Sequence, residues 1–209
     1  MKIKEVGIEK ECFLMKGNKI MEPRMFGFPK DEFEFLVELR SLPSDRFYPV
    51  YTSLKHEELQ YSLRANKFDM ELNDEPNKTV TKKFVDDLWN KYNLHRFNDK
   101  DFTKNIYNDD NPSHHFGVLS TDKEDNKRLT AGIHVHFSSR DSKTGEVIYL
   151  PEEEIIRKMD HNFKHEIHNA GRNLGEYEMK THGFEYRSLP SNIDIYKVLK
   201  IAFKILREV

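Results

Sequence analysis

The 209-residue chain has one cysteine, one tryptophan, nine glycines and a formal net charge of only −2. A lone thiol, Cys12, excludes an internal disulfide and fits a reducing compartment. No run approaches the roughly 18 consecutive apolar residues of a membrane span. The opening Met1-Lys2-Ile3-Lys4-Glu5 also lacks the apolar core of a secretion signal. A soluble cytoplasmic protein with no membrane partner is the expectation. The 34 basic and 36 acidic residues alternate through most of the chain, which argues against nucleic acid as a dedicated partner. Also missing are a glycine-rich phosphate loop, a dinucleotide fingerprint and a Gly-x-Ser-x-Gly elbow.

Alternation and helical spacing define the elements that are present. Val6 to Met15 reads as a strand, and Gly17-Asn18 offers a hairpin turn into Lys19-Ile20-Met21. Further strands are expected over Phe33 to Arg40, Leu129 to Ser138 and Gly183 to Leu189. Helices are expected over Leu54 to Lys67, over Thr81 to Tyr92, from Pro151 to about Ala170, and from Ile195 onward behind a Ser191 or Asn192 cap. The stretch 98–126 is dense in Asp, Asn, Lys and Ser and reads as a long mobile loop. No composition break divides residues 1–209, so one domain is expected. Its class is α+β, a mostly antiparallel curved sheet with helices on one face. One internal repeat stands out: Glu38-Leu-Arg-Ser-Leu-Pro-Ser44 and Glu185-Tyr-Arg-Ser-Leu-Pro-Ser191 agree at six of seven positions. A strand-stop cassette accounts for Ser-Leu-Pro-Ser but leaves the shared Glu-x-Arg unexplained.

Side chains two apart on a strand share a face. That parity puts Glu9, Glu11, Glu38, Arg40, His134, His136, Glu185 and Arg187 on one side of the sheet and the apolar residues on the other. An ordinary half-solvated sheet would also be polar outside. Glutamate is disfavoured in strands, however, and four neighbouring carboxylates repel unless cations neutralise them. Carboxylates and imidazoles suit Mg²⁺ or Mn²⁺, and nearby arginines suit phosphate oxygens. His161, His165 and His168 fall on the solvent side of their helix. The His114-His115 pair sits in the long loop, and Cys12 sits on the apolar face.

Gly7-Ile-Glu9-Lys-Glu11, Glu38-Leu-Arg40, Gly132-Ile-His134-Val-His136 and Gly183-Phe-Glu185-Tyr-Arg187 occur in the order seen in the carboxylate-amine ligase superfamily. That superfamily includes glutamine synthetase and glutamate–cysteine ligase. The stretch Gly171 to Ser191 looks most like small phage-associated amidoligase-type families. The resemblance implies a glutamine synthetase-like catalytic domain that binds ATP and Mg²⁺ (or Mn²⁺). It would join a small-molecule or peptide carboxylate to an amine through an acyl phosphate. Carried across, Glu9, Glu11, Glu38, Glu185 and His134 would hold metal. His134, His136, Arg187 and Lys180 would bind the nucleotide, and Arg187, Arg172 and Arg40 would act in catalysis. Gly183 stands where glutamine synthetase carries an arginine, with Lys180, His182 or Arg172 as replacements. A guanidino-kinase-like phosphotransferase and a non-catalytic module with the same sheet are the alternatives.

Overall fold

Alternation over residues 2–16 makes one fifteen-residue strand, β1 (Lys2–Lys16), the centre of the molecule. The structure, a computed structural model, describes residues 2–30, 35–92, 103–107, 118–120 and 126–209. After β1 come β2 (Lys19–Ile20), a 3-10 turn (Pro23–Phe26), β3 (Leu36–Arg40), α1 (Phe47–Asn66), β4 (Glu71–Asn73), β5 (Asn77–Thr81) and α2 (Lys82–Tyr92). The chain continues through β6 (Lys104–Asn105), β7 (Val118–Ser120), β8 (Asn126–Thr130), β9 (Gly132–Asp141), α3 (Glu152–Asn169), β10 (Glu176–Lys180), β11 (Gly183–Pro190) and α4 (Ile195–Glu208).

The fold is α+β, with a mostly antiparallel open sheet and, among the described residues, four α-helices. The main sheet runs β2-β1-β9-β11-β10-β6, with β3 and β4 also paired to β1. A second, three-stranded sheet runs β5-β8-β7. No helix among the described residues is long and apolar enough to cross a membrane.

Two apolar cores form, one on each side of β1. Val6, Ile8, Cys12 and Leu14 meet Val135, Phe137, Phe184 and Tyr186 on one face, under α1, α3 and α4. Ile155, Met159, Phe163 and Ile167 recur at helical spacing and are fully buried there, while His161, His165 and His168 are exposed. Among the described residues, the opposite face has apolar cover at its far end. There Phe13, Met15, Leu36 and Leu129 pack against Val85 and Leu88 of α2, whose Phe84, Trp89 and Tyr92 complete the stripe. The helices are therefore not all on one face, as parity alone led us to expect. Three lie on the apolar side and α2 lies beside the polar one.

Several boundaries differ from the sequence expectation. The α1 helix starts at Phe47 rather than Leu54, with Pro49 in its first turn, where a missing N–H costs nothing. The expected strand over Leu129 to Ser138 is two strands in two sheets, parted at Ala131, which donates to the Pro76 carbonyl and accepts from Ser191 N. Asp194, not Ser191 or Asn192, caps α4 by accepting from Tyr196 N at 2.9 Å. Residues 33–34 of the expected second strand fall outside the described residues, as do 98–102, 108–117 and 121–125 of the expected loop, His114 and His115 among them. Within that loop 104–105 and 118–120 form strands.

The repeated cassette has a structural meaning. Glu9 faces Arg40, yet Val6 faces Ser44, so the β1–β3 register slips by one residue within Ser41-Leu42-Pro43. The β9–β11 register slips equally, since Tyr186 faces Val135 and Leu189 faces Ile133. Each cassette thus presents a Glu on the polar face, bulges, and feeds a helix on the apolar face, α1 or α4. The partner strands match too: Gly7-Ile-Glu9-Lys-Glu11 corresponds to Gly132-Ile-His134-Val-His136. In the β1–β9 register Glu9 faces His134 and Gly7 faces His136. A local half-turn about the Glu9–His134 pair therefore relates β1, β3 and α1 to β9, β11 and α4.

Phe163 is fully enclosed between α3 and the sheet. Phe163→Ala is expected to cost about 3–5 kcal/mol, read as a lower denaturant midpoint at unchanged slope.

Candidate functional site

Strand parity turns the eight predicted side chains to the face away from α1, α3 and α4, and their ends converge. His134 Nδ1 lies 2.9 Å from Glu185 Oε1 and 3.4 Å from Glu9 Oε1, and its Nε2 lies 3.7 Å from Glu11 Oε1. His136 Nε2 is 3.6 Å from Glu9 Oε2 and 3.9 Å from Glu185 Oε2. Arg40 donates through Nε to Glu9 (3.1 Å) and through Nη2 to Glu38 (2.9 Å). Arg187 Nη1 donates to Glu185 at 2.8 Å and to Glu178 at 2.9 Å. Lys180 Nζ reaches Glu178 at 2.6 Å and Glu185 at 3.0 Å.

Glu9, His136 and Glu185 each offer a ligand atom, and these three atoms lie within 4.8 Å of one another. Carboxylate oxygens with one imidazole nitrogen fit a divalent cation such as Mg²⁺ or Mn²⁺, and the nitrogen favours Mn²⁺. Glu11 is turned partly aside, because one of its oxygens accepts from Gly132 N at 2.6 Å and fastens the start of β9.

Burial makes the protonation pattern unusual. Desolvation alone would raise the Glu9 carboxyl, but hydrogen bonds with His134 and His136 pull it well below the ordinary range. Glu38 goes the other way: burial and the adjacent Glu9 push it up to about 9 despite Arg40. Burial and Arg187 oppose protonation of His134, yet Glu11 and Glu185 outweigh them and raise it to about 9. Burial likewise disfavours the Glu185 anion, and Arg187 and His134 lower it regardless. At neutral pH a protonated Glu38, the His134 imidazolium and three cationic side chains thus offset the charge of Glu9 and Glu185.

One expectation is overturned here and two are made more specific. Arg172 was expected as a phosphate or carboxylate clamp. It is instead buried and donates to the carbonyls of Ser188, Ala131 and Arg187, bracing the β11 bulge. Gly183 admits no side chain, because a Cβ there would come 2.0 Å from the Phe137 carbonyl oxygen. Of the named replacements for the absent arginine, Lys180 is the one touching Glu185, while His182 stacks on His136 with centroids 6.2 Å apart. The Cys12 thiol, raised to about 12 chiefly by burial, is core.

Sequence reading missed β10, and with it Glu176 and Glu178. Glu178 faces Glu185 across β10–β11, and Glu176, two residues earlier, shares its side. Burial raises the Glu176 carboxyl to about 7. The alternation Glu176-Tyr-Glu178-Met-Lys180 before the turn at Thr181-His182 was the available signal.

Comparison of the chain with protein-family models, curated proteins and solved structures found no match.

A carboxyl raised to about 9 binds more protons folded than unfolded, so its contribution to stability falls as pH climbs from its ordinary value towards 9. Glu38→Gln removes that loss. Calorimetry of the cation-free protein at pH 8 should therefore show a midpoint higher by about 2–4 °C, equivalent to ~1 kcal/mol in a chain of this size. At pH 5 the gain should shrink.

Proposed function

We propose that this chain is an ATP-dependent carboxylate-amine ligase working with Mg²⁺ or Mn²⁺ on a glutamine synthetase-like sheet. The observation that carries the reading is one face joining a carboxylate–imidazole donor set (Glu9, His136, Glu185) to three cationic side chains within about 3 Å of those same carboxylates. Burying a group of acids costs stability, as the raised Glu38 carboxyl marks, and carboxyls perturbed in this way cluster where a ligand is held.

Glu9, His136 and Glu185 would hold the cation, with His134 and Glu11 against them and Glu38 beside Glu9. Bound there, it would screen the nucleotide phosphates and polarise a phosphoryl oxygen. Arg187 and Lys180 would donate to the phosphate oxygens and stabilise the charge that develops during transfer. Arg40, at the opposite rim, would orient the substrate carboxylate. In the proposed reaction that carboxylate attacks the γ-phosphorus and ADP leaves. An amine nitrogen then attacks the acyl carbon, inorganic phosphate leaves, and one proton is lost. The acid and amine classes stay broad: free amino acids, peptides, modified nucleotides and protein side chains.

The decisive experiment incubates the protein, ATP and Mg²⁺ with a metabolite mixture and looks for condensation products by mass spectrometry. Phosphate release should require both an acid and an amine, and Glu185→Gln should lower it by about 10²-fold or more. Phosphate retained on an acceptor without any amine would mark a phosphotransferase instead. No ADP formation and no thermal shift with Mg-ATP would mark a non-catalytic module. Cation binding must also displace protons from His134 and Glu38, both raised to about 9. Mn²⁺ affinity measured calorimetrically should therefore increase from pH 7 to pH 9, with protons released into the buffer.

A further inference from the structure

One edge of the polar face carries a closed ring of charge. Glu178 on β10 and Glu185 on β11 are paired side by side. Lys180 Nζ bridges them, 2.6 Å from Glu178 Oε1 and 3.0 Å from Glu185 Oε2. Arg187 Nη1 bridges them again, 2.9 Å from Glu178 Oε2 and 2.8 Å from Glu185 Oε1. Within the ring, every carboxylate oxygen therefore has one cationic partner and each cation has two carboxylates.

The two carboxylates differ in what else they touch. Glu185 is buried and also meets His134 and His136 at the centre of the face. Glu178 is half-buried, and its side-chain bonds here go to Lys180 and Arg187. A divalent cation on Glu185 would take the oxygens that Lys180 and Arg187 now use and would repel both by like charge. Two long side chains released in this way would regain rotamer freedom, and holding them again would cost entropy. Glu178 removes that problem, because it keeps one bond to each while their other donors are freed. Lysine has three N–H donors and arginine five, so both retain capacity for a phosphate.

We infer that Glu178 is a positioning residue: it keeps Lys180 and Arg187 at the rim when Glu185 takes a divalent cation, so that both meet a polyphosphate ligand. This rests on the cation-and-nucleotide reading of the same face. It implies that the divalent ion strengthens polyphosphate binding, a coupling that is reciprocal.

The test is calorimetry on the full chain with Mn²⁺ alone, then with tripolyphosphate under saturating Mn²⁺ and under EDTA. In the wild type, Mn²⁺ should tighten tripolyphosphate binding by about tenfold or more, within the usual range of such couplings. Glu178→Gln should cut that gain to roughly threefold or less, with Mn²⁺ affinity changed by less than roughly threefold, and Glu178→Asp should restore most of it. Wild-type tripolyphosphate binding by Glu178→Gln would overturn the inference. So would a parallel loss of Mn²⁺ and tripolyphosphate affinity, which would indicate structural damage to the face. A wild-type protein that takes up no Mn²⁺ would overturn both the inference and the reading beneath it. Normal Mn²⁺ binding with an unaffected variant would overturn the role of Glu178 alone.

Discussion

The pairing of β1 with β9 sets Glu9 against His134, and the rest of the face is arranged around that contact. Both residues leave the sheet on the side without α1, α3 and α4, and among the described residues neither belongs to an apolar cluster. Their described neighbours on that side are themselves charged: Glu185 behind His134, Glu38 and Arg40 beside Glu9, and Arg187 at the edge. A charge removed from water in this way is tolerable only when each partner is satisfied by the next. The outcome is a connected network in which changing one member alters the protonation of several others. Glu38 holds its proton because Glu9 gives its own up, and Glu9 does so because two histidines face it.

The apolar framework gives this network its geometry. Tyr186 and Phe184 point into the main core on either side of Glu185, and Ile133 and Val135 do the same for His134. The backbone under each polar residue is thus fixed by packing on its reverse side. Arg172 adds a further constraint by tying the carbonyls of Ala131, Arg187 and Ser188 together, which holds the end of β9 to the β11 bulge. An arginine with all its bonds to main chain is a structural element, although from sequence it resembles a ligand clamp.

What could be read from the sequence follows from period and parity. The polar face was legible because two-residue alternation needs no knowledge of which strands are neighbours. The helix stripe Ile155, Met159, Phe163 and Ile167 was legible for the corresponding reason at helical period. Partnership between strands was not, since nothing local distinguishes Asn126 to Thr130 from Gly132 to Asp141 as members of different sheets. β10 escaped notice because Tyr177 and Met179 made too short an apolar alternation between a turn and a hairpin, and Glu178 escaped with it. Arg172 was misjudged because burial is a property of the assembled fold.

The half-turn that relates β1, β3 and α1 to β9, β11 and α4 bears on what the face could recognise. A dimer of two identical such halves would set the same residue twice at its axis, and would see any ligand the same way from both ends. Joined in one chain, the two halves have become unlike. Glu9 and Glu11 occupy the places that His134 and His136 hold in the other half, although both halves keep the Glu-x-Arg of Glu38 and Glu185. One side of the axis is therefore acidic and the other rich in imidazole. A molecule lying across it would meet different chemistry at its two ends, so its direction would be set by the covalent chain.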